Sequence, residues 1–98
     1  MDTIDKILEQ REAQYGSFSF VARTAQEIKS CIFLCVRSSR YDFMSDQVES
    51  LDMIASKISR ILNGNPNHID NWDDIAGYAK LVADRLRQEA WADGQASC

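Results

Sequence analysis

The sequence predicts an all-α domain of four helices packed as an antiparallel bundle. Apolar residues recur at spacings of three and four over most of the 98 residues, which is the pattern of amphipathic helices. No segment shows the alternation of apolar and polar residues, bounded by hairpin turns, that is typical of strands. We therefore expect one helical domain over residues 1–98, with a frayed tail from about residue 92.

The first two predicted helices are separated by a glycine. Helix one is expected over about residues 3–15, with Gly16 as its stop, and helix two over about residues 17–37. The run CIFLCV at 31–36 is apolar on all sides, and a helix without a polar face must be covered on both sides. In a chain this short, the pattern predicts an oligomer in which a second copy covers helix 17–37.

The segment NGNPNHID separates helix three, about residues 46–63, from helix four, about residues 71–91. Gly64 is expected to take the left-handed conformation that ends a helix, and Pro66 prevents the helix from resuming. Asp70 is expected to cap helix four. A connection this short makes helices three and four antiparallel neighbours.

Composition and charge exclude several classes of function. Fifteen acidic and eleven basic residues give a net charge of −4, which disfavours binding to nucleic acids. Three cysteines form no disulfide framework, which indicates a reducing cytoplasm. The longest apolar run is too short to span a bilayer, and no signal-peptide pattern opens the chain, so we expect no membrane contact.

Four polar residues are predicted to meet at the edge of the core. Helical projection places Gln47 and Lys57 in or beside the apolar face of helix three, and Asp74 and Tyr78 on the facing side of helix four. Together they would form a pocket able to hold a phosphate, a ribose or a base edge. The alternative is a structural hydrogen-bond network in which Lys57 pairs with Asp74.

Two arginines are further candidates for contact with a phosphate. Arg85 projects to a flank of helix four. Arg60 projects away from the apolar stripe of helix three together with Glu49 and Asp52, which is typical of a solvated face.

Other chemically capable residues are expected to have structural roles. His68, the one histidine, is predicted to make a loop contact rather than to bind a metal. Cys31 and Cys35 are predicted to be buried as small apolar side chains. Trp72 is predicted to anchor the start of helix four.

Two segments resemble known proteins. The segments KISRILNGNPNHIDNWDDIAGYAKLV at 57–82 and RxxxYGSF at 11–18 resemble a family of small, largely uncharacterised proteins of tailed bacteriophages and prophages. The resemblance extends over roughly residues 7–86. It implies a phage-encoded protein that acts in the cytoplasm of an infected bacterium.

That family is distantly similar to the all-α nucleoside-triphosphate pyrophosphohydrolases of the MazG-like group. In those enzymes two antiparallel helices present an ExxE pair and an ExxD pair to magnesium ions. The resemblance implies that Mg²⁺ would be held here by four carboxylates, Asp46, Glu49, Asp70 and Asp74, with Asp73 as an alternative. On the helical projection only Asp46 and Asp74 face a common flank, whereas two-metal hydrolysis needs more inward carboxylates.

The sequence therefore supports two main functional hypotheses. In the first, an oligomeric phage protein binds a nucleotide or related phosphate ligand without turnover and without a cofactor, and so sequesters a host defence signal. The alternative is Mg²⁺-dependent pyrophosphohydrolysis of a nucleoside triphosphate. A further alternative is an accessory protein whose apolar 31–36 surface binds a host protein.

Overall fold

The computed structural model describes residues 3–92, which form four helices and no strand. The helices are α1 (Thr3–Tyr15), α2 (Phe18–Ser38), α3 (Ser45–Asn63) and α4 (Ile69–Ala92). The predicted all-α fold is confirmed. Within the described range, no helix has both the length and the apolar character that crossing a bilayer requires.

The third helix lies at the centre of the fold. Both α2 and α4 pack along α3, and α1 contacts α2 and α3. Among residues 3–92, α2 and α4 do not contact each other. The three long helices therefore form a bundle-like layer in which one face of α3 stays open between its two neighbours. With α1 included, the structure measures 59 × 27 × 22 Å.

The buried interior of this layer is small. In the described part of the chain, Ala25 and Ala55 are the buried apolar residues, and Ser50, Ser59 and Asn71 are the buried polar ones. Small side chains at these positions allow the helix axes to approach closely, because interaxial distance depends on the side chains at the contact. Small residues therefore fill the fully buried positions of the layer.

Many large apolar side chains lie at the surface of the single chain. Leu51 is 36% exposed, and Leu62 is 67% exposed. Cys31 and Cys35 are both exposed, so the prediction that they are buried is wrong for one chain. The physical reason is that, within residues 3–92, no helix covers the open faces of the layer.

Two turns cross at one end of the layer. Gly16, between α1 and α2, has a φ of +87°, and a Cβ at this position would overlap the carbonyl group of Asn63. A Cβ on Gly64, which follows α3, would overlap the backbone of Tyr15. Glycine is therefore required at both turns because the two backbones touch.

The conformation of Gly64 differs from the prediction. Its φ of −128° and ψ of −140° are outside the left-handed region. Because Gly64 has no side chain, its backbone can lie against the end of α1. At this crossing the backbone N–H of Asn65 donates to the carbonyl oxygen of Gln14 at 2.9 Å. The glycine is needed for close approach between the turns, rather than for a left-handed helix end.

The start of α4 is fixed by its preceding loop. The Nε1–H of Trp72 donates to the carbonyl oxygen of Pro66 at 2.9 Å, which confirms the anchoring role predicted for Trp72. The ring of His68 meets the ring of Tyr15 edge-on, with 5.4 Å between centroids. Because α4 begins two residues earlier than predicted, Asp70 lies in its first turn instead of capping it.

Candidate functional site

The central ion pair of the candidate site joins α3 to α4. Lys57 Nζ lies 2.9 Å from Asp74 Oδ2, and the two side chains are 12% and 48% exposed. The pairing of Lys57 with Asp74, which the sequence analysis gave as the structural alternative to a pocket, is confirmed. A lysine ammonium carries three donors, and Asp74 is its one ion-pair or hydrogen-bond partner in the described part of the chain. The Lys57 ammonium therefore keeps N–H donors that Asp74 does not use, and its side chain is largely removed from water.

A buried amide lies one turn before this ion pair on α4. Asn71, Asp74 and Tyr78 follow helical spacing and share one side of the helix. Asn71 is 1% exposed, and within residues 3–92 its Nδ2 has no hydrogen-bond partner. Buried amide donors are rarely left unpaired, because the desolvation cost is then uncompensated. This amide therefore keeps an unused N–H donor inside the described part of the chain.

The sequence interpretation missed Asn71. It treated the residue as the first position of helix four, at the end of a polar loop. The available signal was its spacing of four from Ile75 and of seven from Tyr78, which places it on the inner stripe of α4.

Arg60 lies one turn beyond Lys57 on α3. Its guanidinium carbon is 4.9 Å from the centroid of the Tyr15 ring, and the side chain is half-buried. The prediction of a solvated arginine is wrong, because α1 supplies an aromatic face for it. Stacking on a ring leaves the in-plane N–H groups of a guanidinium able to donate. We call this set of residues the polar seam: Lys57, Arg60, Asn71, Asp74 and Tyr78.

A second ion pair joins the same two helices at their other end. Arg85 donates to both carboxylate oxygens of Asp46, at 2.8 Å from Nε and 2.6 Å from a terminal nitrogen, and also to Glu89 at 3.0 Å. The hydrogen bond from Arg85 holds the pKa of Asp46 below its ordinary value. Gln47 Oε1 accepts from the backbone N–H of Met44 at 2.8 Å, so it caps α3.

The predicted pocket is therefore divided between two places. Asp46 and Lys57 are eleven residues apart on α3, which corresponds to roughly 16 Å along a helix. Lys57 and Asp74 are brought together, with Tyr78 one turn away on the same side of α4. Arg85 belongs to the other ion pair, and Gln47 lies next to its partner Asp46. The prediction that Gln47 and Arg85 join Lys57 is therefore wrong.

An apolar groove lies on the open face of α3. Two adjoining cavities form it, and they share Phe43 and Leu51. The wall from α2 includes Ile28 and Ile32, and the wall from α4 includes Val82. We call this feature the central groove. The exposed Cys31 and Cys35 also line it.

The carboxylates that the resemblance assigns to magnesium do not form a cluster. Asp46 and Asp74 each pair with a cation of the facing helix, and Glu49 is exposed. Asp70 lies 3.5 Å from His68 Nε2. In the region covered by residues 3–92, no three His, Cys, Asp or Glu side chains are placed to hold a metal ion together.

The fold and the site define a class of small all-α protein with a polar seam at one end and an open apolar groove at its centre. The chain belongs to the family described as Domain of unknown function (DUF6378), whose model matches residues 1–86. No curated protein and no solved structure matches it. The matched range includes the whole polar seam.

Proposed function

We propose that this protein binds a small phosphate-bearing ligand of the nucleotide class in the polar seam and releases it unchanged. The observation that carries the proposal is the Lys57 side chain, only 12% exposed, paired with Asp74 one helical turn from the unpartnered amide of Asn71. Charged N–H donors in a partly desolvated position are suited to phosphate oxygens, because such hydrogen bonds are stronger than neutral ones.

Each residue of the polar seam has a role in this proposal. Lys57 and Arg60 donate to phosphate oxygens, and Asp74 accepts from ribose hydroxyls. The Asn71 amide donates to a carbonyl or ring nitrogen of the base, while Tyr78 contributes a flat apolar contact. A net charge of −4 supports selection of a small ligand over a nucleic-acid polyanion, since the overall field repels the latter.

The arrangement of carboxylates supports binding without turnover. Asp46 and Asp74, which match the magnesium-binding pattern best, are engaged by Arg85 and Lys57. The resemblance of the loop motif to phage and prophage proteins supports a setting in the cytoplasm of an infected bacterium. In that setting, capture lowers the free concentration of a host signalling nucleotide.

The test is direct capture by the full chain. Purified protein is incubated with ribo-, deoxyribo- and cyclic nucleotides, with and without Mg²⁺, and passed over a desalting column. Mass spectrometry then identifies nucleotides in the solution and in the heat-released protein fraction. We expect one intact nucleotide to be retained, and Lys57→Ala to reduce retention at least tenfold.

Lys80→Ala is the matched control. Lys80 also pairs with an aspartate, Asp84, at 2.6 Å, but its side chain is 72% exposed and lies outside the polar seam. The Lys80→Ala variant should retain as much nucleotide as the unmodified protein. Circular dichroism verifies that both variants keep their helices.

Three results would contradict the proposal. Retention of no nucleotide by the unmodified protein would exclude capture. Equal retention of the nucleotide by Lys57→Ala would show that the ligand does not bind in the polar seam. Conversion of a triphosphate to a monophosphate that requires Mg²⁺ would establish pyrophosphohydrolysis instead.

A further inference from the structure

The chain exposes more surface than a folded monomer of its mass. Its accessible surface is 7434 Å², whereas a monomer of 11.1 kDa is expected to expose about 5,700 Å². The Cα radius of gyration is 16.9 Å, compared with about 13 Å for a compact domain of this length. The excess of about 1,700 Å² lies within the roughly 1,000–2,500 Å² that each chain buries in an obligate dimer.

The central groove is a continuous apolar part of the exposed surface. Its floor is α3, its walls are α2 and α4, and none of the residues lining its two cavities is charged. Phe43 and Leu51 lie at its middle, 40% and 36% exposed. On another surface of the α2–α3 pair, the cavity that contains Phe33 also contains Lys29 and Asp52. Covering the central groove therefore costs less in desolvation of charge than covering that other surface.

We propose that the central groove is a homodimer interface, in which two copies place their grooves face to face about a two-fold axis. A two-fold contact presents the same patch to itself, so an uncharged apolar patch is self-complementary without opposing like charges. The groove lining comes from all three long helices of the layer, so a second copy seated on it covers residues of each of them.

The pairing completes the hydrophobic core. Residues such as Leu51, Ile54 and Val82, which one chain leaves partly exposed, become interior. Burying a side chain of this kind contributes about 1.5–3 kcal/mol. Two open layers of three helices then enclose one interior. The inference goes beyond the proposed ligand and does not depend on it, because the residues of the polar seam are not among those lining the groove.

Sedimentation equilibrium of the full chain tests the pairing over a wide range of concentrations. We expect twice the mass of the 11.1 kDa chain. Leu51→Asp places a charge in the groove and should weaken association at least a hundredfold. Leu81→Asp is the matched control, because Leu81 is 67% exposed and is absent from the groove lining; it should remain dimeric.

Thiol labelling provides a readout that needs no substitution in the groove. In a Cys98→Ser background the remaining thiols are Cys31 and Cys35, both of which line the groove. In the dimer they should react with a maleimide at least tenfold more slowly than in the urea-unfolded chain. The labelling rate still tests whether the groove is buried in a dimer if Leu51→Asp does not fold.

The proposal is overturned by a single-chain mass for the unmodified protein at every concentration. It is equally overturned by a dimer that Leu81→Asp dissociates while Leu51→Asp does not. Thiols that react in the dimer as fast as in the unfolded chain would place the interface elsewhere.

Discussion

Arg85 and Asp46 join α4 to α3 through two parallel hydrogen bonds of 2.8 and 2.6 Å. Lys57 and Asp74 join the same helices, roughly three turns away, at 2.9 Å. The first pair combines an early residue of α3 with a late residue of α4, and the second combines the reverse. The two pairs therefore fix both the antiparallel direction and the register of the helices.

The Arg85 pair makes stability depend on pH in the acid range. The hydrogen bond from Arg85 lowers the pKa of Asp46 from its ordinary value of 3.8. A carboxyl whose pKa is lower in the folded state stabilises that state above its unfolded pKa, and the effect disappears as pH falls through the folded pKa. The melting temperature of Asp46→Asn should therefore lie below that of the unmodified protein at neutral pH, and the gap should close below about pH 4.

The control for this experiment is Asp73→Asn, which alters an exposed carboxylate on α4. It should shift the melting temperature less than Asp46→Asn at neutral pH. The pKa of Asp84 is also lowered, mainly by a hydrogen bond from Lys80. Because Asp84 is present in all three proteins, its contribution to the pH dependence of stability cancels in the comparison. A gap for Asp46→Asn that is constant from neutral to strongly acid pH would contradict the assignment.

Two glycines should respond to alanine in opposite directions. Gly16→Ala forces a Cβ onto a left-handed residue and against the Asn63 carbonyl, so it should lower the free energy of unfolding by at least about 1–2 kcal/mol. Gly77 is inside α4, and a Cβ there would meet nothing within 4 Å. Gly77→Ala should raise stability by about 0.5–1 kcal/mol. Urea unfolding measures both, and a stabilising Gly16→Ala would refute the crossing of the turns.

Replacing Asn71 should raise the stability of the protein and weaken its binding of the ligand. Replacing an unpaired buried amide by an apolar side chain of similar shape removes its desolvation cost. Asn71→Leu is therefore expected to raise the free energy of unfolding by about 1–3 kcal/mol, while it reduces nucleotide retention. Urea unfolding and the capture assay report the two effects separately. A destabilised Asn71→Leu would mean that the amide is already satisfied in the folded protein.

Ala55 tests how closely the helices approach. It is 1% exposed at the middle of α3, so Ala55→Leu must displace its neighbours and should cost about 1–3 kcal/mol. Ala76, on the exposed surface of α4, is the matched position, and Ala76→Leu should leave the melting temperature nearly unchanged. Equal effects at the two positions would contradict close packing at Ala55.

The helices were predictable because their signals are local. Spacing of apolar residues and the breaks around Gly16 and Pro66 placed all four elements close to their observed bounds. The crossing of the two turns was not predictable from those signals, since it depends on contact between Gly16 and Gly64, which are far apart in the chain. Burial was overestimated for Cys31 and Cys35, because periodicity gives the direction of a side chain but not whether anything covers it.

The candidate site was predicted only in part. Lys57 and Asp74 project to facing flanks, so their pairing followed from helix geometry. The separation of Gln47 from Lys57 along α3 was overlooked, because a helical projection removes the coordinate along the axis. The stacking of Arg60 on Tyr15 required knowing where α1 packs, and a short amphipathic helix does not reveal that.

The central position of α3 has a consequence for how freely the sequence can change. α3 contacts each of the other three helices, whereas α4 contacts α3 alone. A substitution on α3 therefore disturbs several packing arrangements at once, while most of the circumference of α4 meets none of the other three described helices. Mutational tolerance should be lowest along Ser50, Ala55 and Ser59, and evolutionary variation should accumulate on the outer side of the last helix.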